Sequence, residues 1–136
     1  MYKKILLPVA EDEGARTDEV IKIATALCAE EREITVMHVM EALPAMAKAN
    51  LPSEVTKQLR TDATTMLGII AARCGEGTHS VLVNGHGGRT IVNYAADHEI
   101  DCIVMRSHRP VFEDILFGST AAYVVGHAAC SVHVLR

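Results

Sequence analysis

The residues best suited to chemistry lie near the end of the chain, where Gly118, Ser119 and Thr120 precede an apolar stretch with helical spacing. A helix that begins here would present unpaired backbone N–H groups, two hydroxyls and the positive end of its dipole. Such donors suit a phosphate group. The same residues also suit an ordinary turn and helix cap, so the pattern alone leaves both interpretations open.

Other candidate residues follow the apolar runs that we expect to form strands. In open parallel sheets, ligands bind beyond the carboxyl ends of the strands, near the point where the strand order reverses. The segments that meet this condition are 8–11, 38–41, 84–88 and 106–110. His38 and His133 lie inside expected strands, where a histidine of the core or the surface is the usual reading.

Several catalytic signatures are missing from the sequence. There is no Gly-Lys pair, which excludes a Walker loop, and no Gly-x-Ser-x-Gly elbow. Gly85 and Gly87 lack the third glycine of the dinucleotide fingerprint, because residue 90 is a threonine. No clustered carboxylates or paired histidines indicate a metal site. A small-molecule hydrolase is therefore the weakest of the function classes considered.

Composition predicts one globular domain over residues 1–136. The chain has a mass of 14.7 kDa and is 49% hydrophobic and 22% charged, which is enough to build a single core. Thirteen Lys and Arg against 17 Asp and Glu give a formal charge of −4, the wrong sign for binding a phosphate backbone. We expect no nucleic-acid partner.

The location is predicted to be cytoplasmic, with no membrane insertion. No apolar run approaches the ~18 residues of a transmembrane helix, and the start of the chain does not resemble a secretory signal. The four cysteines, Cys28, Cys74, Cys102 and Cys130, show no metal or redox spacing. They are expected to be reduced thiols that behave as small hydrophobic residues.

The segments alternate between strand and helix. Five apolar runs predict strands at 4–9, 34–40, 80–83, 102–105 and 132–135, and helical spacing predicts four helices near 17–29, 53–73, 89–98 and 118–129. Such alternation implies crossover connections and a parallel sheet. The expected fold is an α/β domain with an open, doubly wound five-stranded parallel sheet and four helices. Residues 41–52 fit neither period and are interpreted as a partly ordered flap.

The order of several motifs resembles the universal stress protein family over essentially the whole chain. That family closes with a Gly-Ser-His-Gly type loop, a variable segment, a Gly-Ser pair, a helix and a Cys-(Pro or Ser)-Val strand. The corresponding stretches here are Met105-Arg106-Ser107-His108-Arg109-Pro110, Leu116-Phe117-Gly118-Ser119-Thr120 and Cys130-Ser131-Val132. The opening residues 2–9, and His38-Val39 in the second strand, also look like the family.

The resemblance implies an adenine-nucleotide alpha-hydrolase-like fold with strand order 3-2-1-4-5 and a site for ATP. Nucleotide occupancy, or slow hydrolysis, would serve as a regulatory or stress-response signal, and Mg²⁺ would arrive bound to the phosphates. The residues implied to contact the nucleotide are Pro8, Val9, Ala10, Val39, Arg106, Ser107, His108, Arg109, Gly118, Ser119 and Thr120.

The chain departs from the family pattern at the loop. Arg106 and Arg109 replace two glycines, the segment between Arg109 and Gly118 is one residue short, and Ala10 stands where an acidic residue is usual. Guanidinium groups could bind phosphate or crowd the ribose, and the Ser-His-Arg-Pro loop looks like that of a nucleotide-binding subgroup. The alternative is a dimeric interaction module of the same family that binds no nucleotide.

The resemblance also implies a homodimer. The last strand is short and apolar, and as an edge strand it would expose unpaired backbone groups unless another chain covered them. Family members pair this strand across a two-fold axis, and Cys130–Leu135 is the matching segment. A protein partner regulated by the dimer is expected.

Overall fold

Aliphatic runs form the five strands of the computed structural model, which describes residues 1–10, 17–107 and 118–136. The residues of these runs are branched and apolar, which favours strands covered on both faces. The strands are β1 (Tyr2–Pro8), β2 (Cys28–Met40), β3 (Thr78–Asn84), β4 (Cys102–Arg106) and β5 (Ser131–Leu135).

The strands pair in the order β3-β2-β1-β4-β5, and every pair is parallel. The predicted order and the parallel sheet are confirmed. Ile5 is opposite Ile34 of β2 on one side of β1 and opposite Cys102 of β4 on the other. Because β1 is flanked by β2 and by β4, the strand order reverses at the gap between β1 and β4, where open sheets bind ligands.

The helices differ in number from the sequence-based expectation. Over the described residues there are five rather than four: α1 (Thr17–Leu27), α2 (Ala45–Asn50), α3 (Ser53–Cys74), α4 (Gly87–Asp97) and α5 (Ser119–His127). The additional helix, α2, lies inside the predicted flap. It has only six residues and buries none of them, so it leaves no apolar periodicity that a sequence could display.

Two apolar clusters cover the two faces of the sheet. One joins β1 residues such as Ile5 and Leu7 to α1 and α3, and the other joins Leu6 to α4 and α5. Alternate residues of β1 therefore face opposite layers, as the pleat of a strand requires. This is the doubly wound arrangement that the sequence predicts.

None of the helices in the described ranges is both long and apolar enough to cross a membrane.

Candidate functional site

A cavity of about 690 Å³ opens beyond the carboxyl ends of β1, β2 and β4. Its floor is apolar, because Met37, Met105 and Ile91 are buried side chains that belong to the cluster beneath α4 and α5. Its rim carries polar groups from the strand ends and from the starts of α4 and α5. A cavity of this size, with an apolar floor and few polar groups, is typical of sites for small ligands.

Most of the predicted contact residues line this cavity. They are Pro8, Val9, Ala10, Val39, Arg106, Gly118, Ser119 and Thr120. Ser107 does not line it. The Ser107 N–H donates to the Leu135 carbonyl at 2.9 Å and its hydroxyl donates to the same oxygen at 3.4 Å, so this residue is bound to the end of β5. His108 and Arg109 lie outside the described residues.

The first turn of α5 supplies backbone donors of the kind that bind anions. Gly118 precedes the helix with φ −52° and ψ 156°, and no side chain of the described residues caps this end by a hydrogen bond. Within the helix, the first N–H that follows the regular pattern is that of Ala122, which donates to the Gly118 carbonyl at 3.0 Å. The amides of Ser119, Thr120 and Ala121 precede it in the first turn, and these three residues line the cavity. Helix-start amides without an intrahelical acceptor can serve a ligand.

The ends of β1 and β2 are joined by two hydrogen bonds at the cavity wall. The Val9 N–H donates to the Met37 carbonyl at 2.8 Å, and Nδ1 of His38 lies 2.7 Å from the Val9 carbonyl. Because a carbonyl only accepts, this nitrogen carries the proton. His38 lines the cavity, a role beyond the core or surface position that its place in a strand predicts.

Arg106 is held by an ion pair at the edge of the cavity. Its Nη1 lies 3.0 Å from Oε2 of Glu19 on α1. The Arg106 side chain is 8% exposed, whereas that of Glu19 is 66% exposed. The guanidinium of Arg106 is therefore packed at the cavity edge and paired with a carboxylate.

Glu41 is a cavity residue that no motif in the sequence singles out. The Gly85 N–H donates to the Met40 carbonyl at 3.0 Å, which holds the β3–α4 loop against the end of β2. Oε1 of Glu41 then accepts a hydrogen bond of 3.2 Å from Gly87, the first residue of α4. The only signal for Glu41 in the sequence is that an acidic residue follows an expected strand. Its contact with residue 87 leaves no signal, because the two residues are distant along the chain.

The remaining candidate chemistry is weak. No group of three metal-ligating side chains occurs within residues 1–10, 17–107 and 118–136. The four cysteines are free thiols, and burial raises the pKa of each of them, which lowers their thiolate fraction. The cavity is thus the strongest candidate site in the described part of the chain.

Comparison with known proteins gives a consistent result. The universal stress protein family model matches residues 1–136. A universal stress protein of Methanocaldococcus jannaschii is 30% identical over 141 residues, covering 100% of this chain and 83% of the relative. Universal stress protein G of Salmonella typhimurium is 28% identical over 142 residues, covering 100% of both chains.

Solved structures share the fold. A universal stress protein of Lactobacillus plantarum has a TM-score of 0.72 at 27% identity, covering 99% of this chain and 98% of that one. The universal stress protein from Archaeoglobus fulgidus in complex with dAMP has a TM-score of 0.66 at 20% identity, covering 99% of this chain and 98% of that one. A universal stress protein family protein from Arabidopsis thaliana with AMP bound has a TM-score of 0.67 at 16% identity, covering 98% of this chain and 90% of that one. The chain belongs to the universal stress protein family.

Proposed function

We propose that this protein binds an adenine nucleotide, with ATP as the ligand, in the cavity at the strand ends, and that occupancy acts as a regulatory signal. The observation that carries the proposal is the geometry of the cavity. An apolar floor able to hold a planar base lies beside the uncapped start of α5, at the switch point between β1 and β4. The dAMP and AMP complexes of proteins with this fold support the choice of adenine.

The groups around the cavity suggest a division of roles. Met37 and Met105 would pack against the base, and the strand-end backbone at Val9 and Val39 would meet its edge or the ribose. The amides of Ser119 and Thr120 would bind phosphate, because the positive end of α5 favours negative charge there. In this proposal occupancy itself is the signal, with at most slow hydrolysis of the bound ATP.

The direct test is to denature the purified protein with acid and identify released nucleotide by absorbance and chromatography. We expect adenine nucleotide in amounts comparable to the protein. For protein freed of nucleotide, calorimetric titration with ATP should then show saturable heat. If no nucleotide is released and no heat is detected, the proposal is wrong.

The second candidate is a dimeric interaction module that binds no nucleotide. The ion pair between Arg106 and Glu19 favours this candidate, because the one arginine among the described residues of the cavity wall is already paired with a carboxylate. Ala10, which offers no polar side chain at the end of β1, points the same way. Absence of ATP heat together with a stable dimer would favour this candidate.

We further propose a cellular location, an oligomeric state and binding partners for the protein. We place it in the cytoplasm, because four free thiols suit a reducing compartment. We take residues 1–136 as a single domain that forms a homodimer and regulates a protein partner, with Mg²⁺ bound through the nucleotide phosphates. The formal charge of −4 makes nucleic acid a poor partner.

A further inference from the structure

Glu41 places a negative charge between the starts of two helices that face the cavity. Its Oε1 accepts the hydrogen bond from the Gly87 N–H at 3.2 Å. A Cβ added to Gly87 would lie 3.2 Å from this oxygen and 3.5 Å from Oγ1 of Thr120. The Glu41 carboxylate and the Thr120 side chain in the first turn of α5 therefore approach Gly87 at the same place.

The described wall of the cavity offers little positive charge to offset this carboxylate. Arg106 lines the cavity, but its guanidinium is paired with Glu19 at 3.0 Å. His38 is the remaining basic residue among the described lining residues, and its Nδ1 faces the Val9 carbonyl. Phosphates bound at Ser119 and Thr120 would thus meet backbone donors together with a nearby negative charge.

We infer that Glu41 is a specificity-determining residue that makes the site discriminate against ligands by the negative charge of their phosphate end. The inference rests on the proposed nucleotide-binding function and refines its ligand class. Nucleosides, monophosphates and cation-complexed triphosphates bind in preference to a triphosphate that carries its full charge. Like charges repel, and the repulsion grows with the charge of the ligand.

The hydrogen bond to Gly87 also gives Glu41 a structural role, because it satisfies one amide that the first turn of α4 leaves unpaired. The two roles can be separated by Glu41→Gln, which removes the charge and keeps an oxygen that can accept this bond. A structural role alone would change the affinity for charged and uncharged ligands equally. A charge effect would change only the affinity for charged ligands.

The experiment is calorimetric titration of nucleotide-free protein with adenosine, AMP and ATP, in EDTA and at low ionic strength. For Glu41→Gln we expect ATP affinity to rise about fivefold or more, AMP affinity to rise less, and adenosine affinity to change by less than about twofold. The rise in ATP affinity should shrink at high salt, because salt screens exposed charges. The matched control is Glu31→Gln, which removes an exposed carboxylate of β2 that does not line the cavity and should leave all three affinities unchanged.

Two outcomes overturn the inference in different ways. If the ligands bind but the ratio of ATP to adenosine affinity is the same in the variant and the unmodified protein, the inference fails and the proposed function stands. If adenosine, AMP and ATP all fail to bind to both proteins, the proposed function fails and the inference fails with it. A gain in ATP affinity that is unchanged at high salt also overturns the role of charge.

Discussion

Arg106 is the residue at which the family pattern and the structure differ most instructively. The family resemblance implies a small residue at this position, and here a long side chain is buried and paired with Glu19. If the guanidinium serves this pair rather than a ligand, Arg106→Gly should leave ATP affinity unchanged or raise it, since removing the side chain widens the cavity. Calorimetric titration measures this directly.

The control for Arg106→Gly is Glu19→Gln, which weakens the same ion pair and keeps the arginine. A fall in ATP affinity of tenfold or more, about 1.4 kcal/mol, in Arg106→Gly alone would show that the guanidinium itself holds phosphate. Such a result would contradict the expectation.

We predict that the buried thiol of Cys102 makes the free energy of unfolding depend on pH. Burial in β4 raises the pKa of this thiol from 9.0 to about 11. In the unfolded chain the thiol loses its proton near pH 9, whereas the folded chain retains it until about pH 11. Its contribution to folding is therefore complete below pH 9 and is lost as the pH rises from 9 to 11, by on the order of 2 kcal/mol.

Urea unfolding of the unmodified protein and of Cys102→Ala across pH 7–11 checks this effect. The difference between the two free energies of unfolding should shrink above pH 9, because the variant lacks the titrating group. Cys28→Ala is the control, since that thiol is only half-buried and Arg32 opposes the rise in its pKa. Parallel curves for Cys102→Ala and the unmodified protein would refute the prediction.

The start of α5 is the element on which the proposed phosphate binding depends. Gly118 has a φ of −52°, which any residue can adopt, so a side chain there causes no backbone strain. Gly118→Val should abolish ATP binding because its branched side chain fills the approach to the first amides, with little change in melting temperature. Gly126→Val on the same helix, where an added Cβ meets nothing within 4 Å, should retain binding. Retained affinity in Gly118→Val would argue against phosphate at this turn.

Close packing of α4 against α5 sets the position of that turn. A Cβ on Gly88 would lie 2.9 Å from both Cβ and Cδ1 of Tyr123, so the two helices would have to separate. Gly88→Ala should destabilise the protein by about 1–3 kcal/mol and weaken ATP binding. Gly68→Ala, at an exposed position of α3 with open space around it, should stabilise it by about 0.5–1 kcal/mol. Urea unfolding gives both values, and equal effects would exclude the packing explanation.

Helices and strands that bury a stripe or run of apolar residues could be predicted from the sequence. Elements that bury no such residues left no pattern to predict them from. The five strands and the four longer helices follow from apolar spacing, with ends shifted by a few residues. The start of β2 at Cys28 rather than Ile34 was missed, because residues 30, 31 and 33 of this segment are charged and exposed. The short helix α2 has no buried residue to mark it.

The site could be predicted in outline, because strand ends and a Gly-Ser helix start are local signals. The contacts that modify it are not local. The Arg106–Glu19 pair joins residues 87 positions apart, and the Glu41–Gly87 bond joins residues 46 apart. Nothing in the spacing of these residues indicates that folding brings them together, so the charge balance of the cavity became visible only in the structure.

The topology of the whole molecule connects the cavity to the edge of the sheet. Arg106 lies at the end of β4, opposite Leu135 of β5, and the next residue, Ser107, donates to the Leu135 carbonyl. The loop that is predicted to hold phosphate therefore begins where the edge strand ends.

We predict that two molecules of the protein associate through the edge strand β5. The Ser131 N–H donates to Asp101, and the Leu135 carbonyl accepts from Ser107, so alternate residues of β5 bond towards β4. The backbone groups of Val132 and Val134 consequently point to the open side of the strand in the described structure. Unpaired edge groups of this kind favour pairing with a second chain, and light scattering should give twice the 14.7 kDa mass of one chain.

Val132→Pro tests whether this edge forms the dimer. Proline removes the outward N–H of residue 132 and leaves the donors that face β4, and an edge position can accommodate its ring. We expect Val132→Pro to be a folded monomer by circular dichroism and light scattering, whereas Val132→Ala, which also shortens the side chain but keeps the N–H, should remain a dimer. Because the two variants share the loss of packing, a difference in mass between them reports the backbone hydrogen bond. A dimer that persists in Val132→Pro would place the interface elsewhere on the molecule.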